Sequence, residues 1–218
     1  MSDFLKSLKE LVFPSRCICC GKLADDKHLC SGCAPQLARQ RIPRPERHIS
    51  KKFDMVDGVY ASYYYRDKAA DAVKLAKFRN PASFLASFLE DISIDIMGIL
   101  EENNIDMVVS SPYHKSKLYT QEYDLPREMA KRICARCGAE YSQCIVKTQK
   151  TAIQHNLPKD SRKVNLVNAF EVTGDVKGKN ILIIDDVITT GITASTLATD
   201  LKLAGAAGVY VWVYTYNT

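Results

Sequence analysis

No stretch of this 218-residue chain approaches the roughly 20 consecutive apolar residues that a membrane-spanning helix needs. Its most apolar run, Ile92 to Leu100, is short and interrupted by Asp95. Nor is a secretory leader expected: Met1-Ser-Asp-Phe-Leu-Lys opens with mixed charges, and no apolar run with a small-residue cleavage site follows. Glycine and proline are scarce, at 10 and 8 residues, and 46% of the chain is apolar against 25% charged, which excludes collagen-like, low-complexity and disordered classes. Two nucleotide motifs are absent. There is no Gly-x4-Gly-Lys-[Ser/Thr] loop, since GDVKGKN at 174–180 has the wrong spacing and precedes a strand, and there is no G-x-G-x-x-G fingerprint. The expectation is a globule without a membrane span, in the cytoplasm.

What the chain does contain is uneven. Its length suits one full core plus a small appendage. The net charge of +5 is confined to the start: residues 1–52 carry +6 and residues 53–218 carry −1. Eight cysteines are many for a reducing compartment, where clustered thiols bind metal or do redox work more often than they form disulfides. Residues 3–13 place Phe4, Leu5, Leu8, Leu11 and Val12 on one face of an amphipathic helix, which either packs on the protein's own body or docks to a membrane or partner. Residues 39–52 (RQRIPRPERHISKK) hold two prolines, six lysines and arginines and no apolar periodicity, the composition of a semi-extended linker. The expected organisation is therefore an amphipathic helix and cysteine knuckle over 1–38, a basic linker over 39–52 and one larger domain over 53–218.

Within 53–218, strand and helix patterns alternate. Strands are expected at 57–65, 106–110, 143–147, 180–185 and 209–216, and helices at 68–78, 83–101, 121–137 and 192–204. Runs such as Asn180-Ile-Leu-Ile-Ile-Asp185 are too apolar for a one-sided sheet, so a parallel α/β sheet covered on both faces is expected.

Cys17 and Cys20, with Cys30 and Cys33, form two C-x2-C pairs, and each short turn brings two thiolates to one ion. Four sulfurs at about 2.3 Å would hold Zn²⁺ with no open position, which makes the site structural rather than catalytic. Cys19 replaces Cys17 only by becoming the vicinal neighbour of Cys20, a poor geometry. Cys134 and Cys137 also have C-x2-C spacing, but within an expected helix and with only Cys144 nearby, so packing is favoured over a second metal site.

The densest chemical signal is Ile181-Leu-Ile-Ile-Asp-Asp-Val-Ile-Thr-Thr-Gly-Ile-Thr193. In an open α/β sheet, ligands gather beyond the carboxyl ends of the strands, and a helix N-terminus there offers unpaired N–H groups to an anion. Thr189, Thr190 and Thr193 add hydroxyls, Ile192 opens the helix, and Gly191 removes a Cβ where the backbone must approach the anion. Asp185 and Asp186 repel phosphate but accept hydrogen bonds from a vicinal diol. Phosphate beside diol describes a ribose 5-phosphate. A Walker B strand lacks its accompanying loop, and a helix merely capped by threonine does not explain two adjacent acids.

This run resembles the signature of type I phosphoribosyltransferases. The chain resembles more narrowly the ComF family (ComFC-like), through FPSRCICCG with HLCSGC, VKLAKF, and QHNLPKDSRKVNLVNAF. The resemblance implies a type I phosphoribosyltransferase-like domain with a zinc knuckle, in which Asp185 and Asp186 bind the ribose diol of phosphoribosyl pyrophosphate and 189–193 bind its phosphate. It also implies Mg²⁺ with the pyrophosphate, and a pyrophosphate-side loop at Ser111-Pro-Tyr-His-Lys-Ser-Lys117, where Lys115 and Lys117 stand in place of the arginines usual in that family. Gln154, Arg162 and Asn165 are candidates for a second site, with surface roles equally open, while His114 and His155 are assigned no role. The implied function is DNA uptake, handling single-stranded DNA with a helicase-like competence partner; the alternative is an active phosphoribosyltransferase whose acceptor the sequence does not name.

Overall fold

A computed structural model describes residues 16–24, 28–43, 53–78, 85, 92, 95–112, 124–147 and 170–217. The expected helix at 3–13, residues 44–52 of the expected linker, residues 113–117 of the pyrophosphate-side loop, Gln154, Arg162, Asn165 and the two histidines His114 and His155 lie outside them. The central element is β5 (Asn180–Ile188), whose apolar residues face both ways. Ile181 and Ile183 belong to one core, Leu182 and Ile184 to the other. All four are at most 1% exposed, which is why the run is continuous rather than alternating.

β5 sits in a four-stranded sheet ordered β1-β6-β5-β2, with β1 at Gly58–Tyr64, β2 at Met107–Ser110 and β6 at Gly208–Tyr216. Every neighbouring pair is parallel, so all four carboxyl ends reach the same edge. On one face lie α2 (Asp67–Phe78), α3 (Leu125–Cys137) and the helical residues 95–102, meeting Leu182, Ile184 and Trp212. On the other, α4 (Ile192–Leu203) presents Leu197, Ala198 and Leu201 to Ile181, Ile183, Val211 and Val213. Each large apolar side chain so buried contributes about 1.5–3 kcal/mol. The expected α/β class, with a parallel sheet flanked by helices, is the class observed.

Two details differ from the sequence pattern. β5 does not stop at Asp185: pairing with β6 continues through Val187↔Thr215 and Ile188↔Tyr216, so both acids stand on the strand rather than after it. A two-stranded antiparallel ribbon also joins β3 (Ile145–Lys147) to β4 (Phe170–Val172), and three residues are too few to show a strand period in β4.

The cysteine knuckle shares the main core. Cys17, Ile18, Cys33 and Leu37 are buried with Ala69, Ala72 and Val73 of α2. Its short helix α1 (Ala34–Ala38) begins on Cys33. The chain leaving α1 runs antiparallel along β1: the Ile42 N–H donates to the Ser62 carbonyl at 2.9 Å and the Tyr64 N–H to the Gln40 carbonyl at 2.9 Å. Ile42 is 0% exposed, and Arg41 reaches Asp95 at 3.1 Å. Gln40 to Ile42, inside the stretch whose composition suggests a linker, are thus held against the body. Ile42→Ala should cost about 2 kcal/mol or more and lower Tm by at least about 4 °C; an unchanged melting curve would mean the segment is solvated.

Candidate functional site

The four cysteines of the knuckle come together. The Cys17, Cys20, Cys30 and Cys33 sulfurs all lie within 4.8 Å of one another, and Cys20 and Cys30 are 3.8 Å apart. Tetrahedral Zn²⁺ with bonds of about 2.3 Å requires sulfurs about 3.8 Å apart, so the group fits zinc. Gly21, at φ 73°, closes the first turn, where its N–H donates to the Cys17 carbonyl at 2.8 Å. Burial opposes ionisation of Cys17, but hydrogen bonds from the Cys30, Cys19 and Cys20 backbones bring its thiol down to about 7. Cys19 points into the apolar core instead, where burial pushes it up to about 12. Cys134 is buried on α3 and likewise pushed up to about 12 by burial, in keeping with packing. Cys144 is buried against the Met107 sulfur at 4.0 Å.

The second centre is the carboxyl edge of β5. Asp185 lines a pocket of about 60 Å³ together with every residue from Val187 to Ala194. Thr189, Thr190, Ile192 and Thr193 are exposed around it, while Gly191 is buried. Gly191 adopts φ 76° as the N-cap of α4, and no side chain caps the helix. Its first-turn N–H groups therefore keep their donors for an anion. A Cβ on Gly191 would overlap the Phe53 ring. Two constraints select this glycine, the left-handed backbone and the ring lying against it. Close approach to an anion, the reason the sequence suggests, is not needed to explain it.

The two acids are treated differently. Asp186 is 5% exposed, and its Oδ2 lies 2.7 Å from Nζ of Lys77 in the last turn of α2. Its carbonyl accepts a bond from Thr215 Oγ1 of β6 at 3.1 Å. Asp185 accepts the Asp186 N–H at 2.8 Å. Burial, and then the Asp186 charge, push the Asp185 carboxyl up to about 7, while the Asp186 N–H, Ser111 and Lys77 pull the other way. Asp124, the N-cap of α3, accepts the Arg127 N–H at 3.1 Å; burial raises it, and Asp186 adds to the rise. Lys77, Asp124, Thr215 and Phe53 are absent from the sequence-derived site. The signal for Lys77 was present in VKLAKF, a lysine in the last turn of a helix that packs on the sheet.

No protein-family model matches the chain. The DNA utilization protein YhgH of Escherichia coli K12 is 45% identical over 71 residues, covering 33% of this chain and 31% of that one. The protein of the same name from Salmonella typhi is 35% identical over 108 residues, covering 49% and 48%. These homologues bear out the resemblance to the ComF family. The matches span a third to a half of the length of these curated relatives. Among solved structures, the purine phosphoribosyltransferase of Pyrococcus horikoshii overlaps 60% of this chain and 82% of its own at 18% identity, with a TM-score of 0.37. The fold class stands on the order and direction of the strands themselves.

Two outcomes are expected. Protein purified without chelator should carry about one zinc per chain by elemental analysis, and chelation should lower its Tm; less than half a zinc would refute the cluster assignment. Asp185 binds its proton more tightly folded than unfolded. The resulting stability is full below the unfolded value of 3.8 and is lost as pH rises through about 7. Asp185→Asn should therefore raise Tm by a few degrees above that window and little below it, as read by scanning calorimetry at both ends; an equal change at both would contradict the burial of this carboxyl.

Proposed function

We propose that this chain is a ComF-like protein that binds phosphoribosyl pyrophosphate with Mg²⁺ and acts in the cytoplasm in DNA uptake, handling single-stranded DNA with a helicase-like partner. The observation that carries the reading is the succession, on one strand and its following turn, of two carboxylates and a helix start without a side-chain cap. A ribose 5-phosphate has the complementary order. Its vicinal hydroxyls donate to carboxylates, and its phosphate accepts from the N–H groups at the start of α4. Asp185 faces the pocket and Lys77 balances the charge of Asp186, so an anionic sugar meets one net negative charge fewer than two bare acids would present.

Mg²⁺ would supply charge neutralisation for the pyrophosphate; Ser111, hydrogen-bonded to Asp185 at the end of β2, begins the loop assigned to that group. The YhgH relatives carry DNA utilization in their name, which supports a nucleic-acid role here.

Calorimetry with phosphoribosyl pyrophosphate and Mg²⁺ tests the site. Asp185→Ala and Asp186→Ala should each weaken binding about tenfold or more, the ~1.4 kcal/mol expected for a hydrogen bond to a charged group. Binding indifferent to both would refute it. Pyrophosphate release assayed against bases and amines then separates the two functional readings: silence supports a binding protein, and turnover supports a transferase.

A further inference from the structure

Where the knuckle meets the sheet, a cleft of about 310 Å³ opens between α1 and the carboxyl end of β1, lined by Gln36, Arg39 and Gln40 on one side and Tyr64, Arg66 and Asp67 on the other. Its walls are fixed. Gln40 is 9% exposed and accepts the Ala69 N–H at 2.8 Å, which ties the knuckle's exit to the start of α2. Arg39 is the C-cap of α1, whose N-cap Cys33 belongs to the four-sulfur cluster, so the helix that ends on this arginine starts at the cluster. The other, Arg66, holds its guanidinium 5.4 Å from the centre of the Tyr64 ring.

The aromatic part extends along the edge. Tyr64 is in register with Tyr216 of β6, and both are half-buried on the same face of the sheet. Tyr216 is in turn in register with Ile188, which lines the pocket of the ribose-phosphate site. Arginine and tyrosine thus adjoin that pocket across one strand. The 39–52 segment has the positive charge for phosphates but no Tyr, Phe or Trp to stack on, and the end of β1 supplies the tyrosine it lacks.

We propose that this seam binds single-stranded nucleic acid, with Arg39 and Arg66 on the phosphodiester backbone and the Tyr64 and Tyr216 rings stacking bases. Positive groups that track a backbone beside aromatic faces form the general platform for single strands. The placement gives a direction to the DNA-handling part of the proposed function, on which it rests: a strand lying in the seam points one of its ends toward the pocket at Asp185. Asp67, which accepts from the Gln40 amide at 3.5 Å, also lines the cleft and disfavours phosphate beside it, which leaves the phosphates to the two arginines.

The test is fluorescence anisotropy of a labelled oligothymidylate with the zinc-loaded protein across a salt series. The Arg39→Ala, Arg66→Ala double variant should bind about tenfold more weakly, and its log affinity against log salt should flatten by about 1.4, two phosphates at roughly 0.7 each for a single strand. Tyr64→Leu should lose about fivefold or more on the single strand and leave the salt slope unchanged. Arg132→Ala, on an exposed face of α3, is the control. Wild-type affinity and slope in the double variant, no effect of Tyr64→Leu, or no binding by the wild type would each overturn the proposal. Calorimetry of the double variant with phosphoribosyl pyrophosphate separates the two sites: retained binding with lost oligonucleotide binding supports the seam. Loss of both, with zinc content and circular dichroism unchanged, would overturn its independence.

Discussion

Two carboxylates stand side by side at the end of a strand buried on both faces, and the Lys77–Asp186 ion pair allows the fold to hold them there. Without a cation, two adjacent carboxylates in a desolvated edge would repel each other with nothing to offset it. Lys77 sits in the last turn of α2, so the pair also fastens that helix to the central strand. Thr215 secures the same point from β6 through the Asp186 carbonyl. Among the described residues Asp185 has no such ion pair, and burial, with the Asp186 charge beside it, pushes its carboxyl up to about 7. Asp186 is paired with Lys77, and Asp185 lines the pocket.

The same edge is reached from the N-terminal side. The knuckle does not hang from the body on a flexible tether: its buried residues join the α2 side of the core, and Gln40 to Ile42 lie along β1. On the other face, Phe53 brings the chain back to the turn at Gly191, where its ring covers the glycine. A four-cysteine cluster, the first residues of the basic segment and the proposed phosphate turn are thereby joined through packing. Zinc bound there would fix Cys33 at the start of α1, the helix that ends on Arg39. With four thiolates and Zn²⁺ summing to −2, a bound zinc would bring residues 1–52 from +6 to +4.

Much of this was legible in the sequence because it rests on local signals. The unbroken apolar run of β5 shows burial on both faces, and the paired C-x2-C spacing shows the metal cluster together with the exclusion of Cys19. Contacts between distant segments left no such trace. Lys77 meets Asp186 across more than a hundred residues, and Phe53 lies on Gly191 across a similar interval; neither has a periodic or spacing signature. Gly191 shows the limit well: the residue type was read correctly as demanding room, yet the left-handed turn was not read and the group filling that room is a ring from elsewhere in the chain. The segment after Arg39 misleads for a related reason: prolines and charge suggest solvent, while one isoleucine at position 42 is enough to seat its first part on β1.

The central claim is that the turn from β5 into α4 binds the phosphate of a sugar held by the acids before it. Amide chemical shifts in a nitrogen-labelled sample, followed as ribose 5-phosphate and Mg²⁺ are added, address this residue by residue. The account predicts that the largest saturable shifts fall on Thr190, Gly191, Ile192 and Thr193, and that they disappear when ribose without its phosphate is used. Shifts confined to other surfaces, or shifts at the turn that ribose alone reproduces, would contradict it.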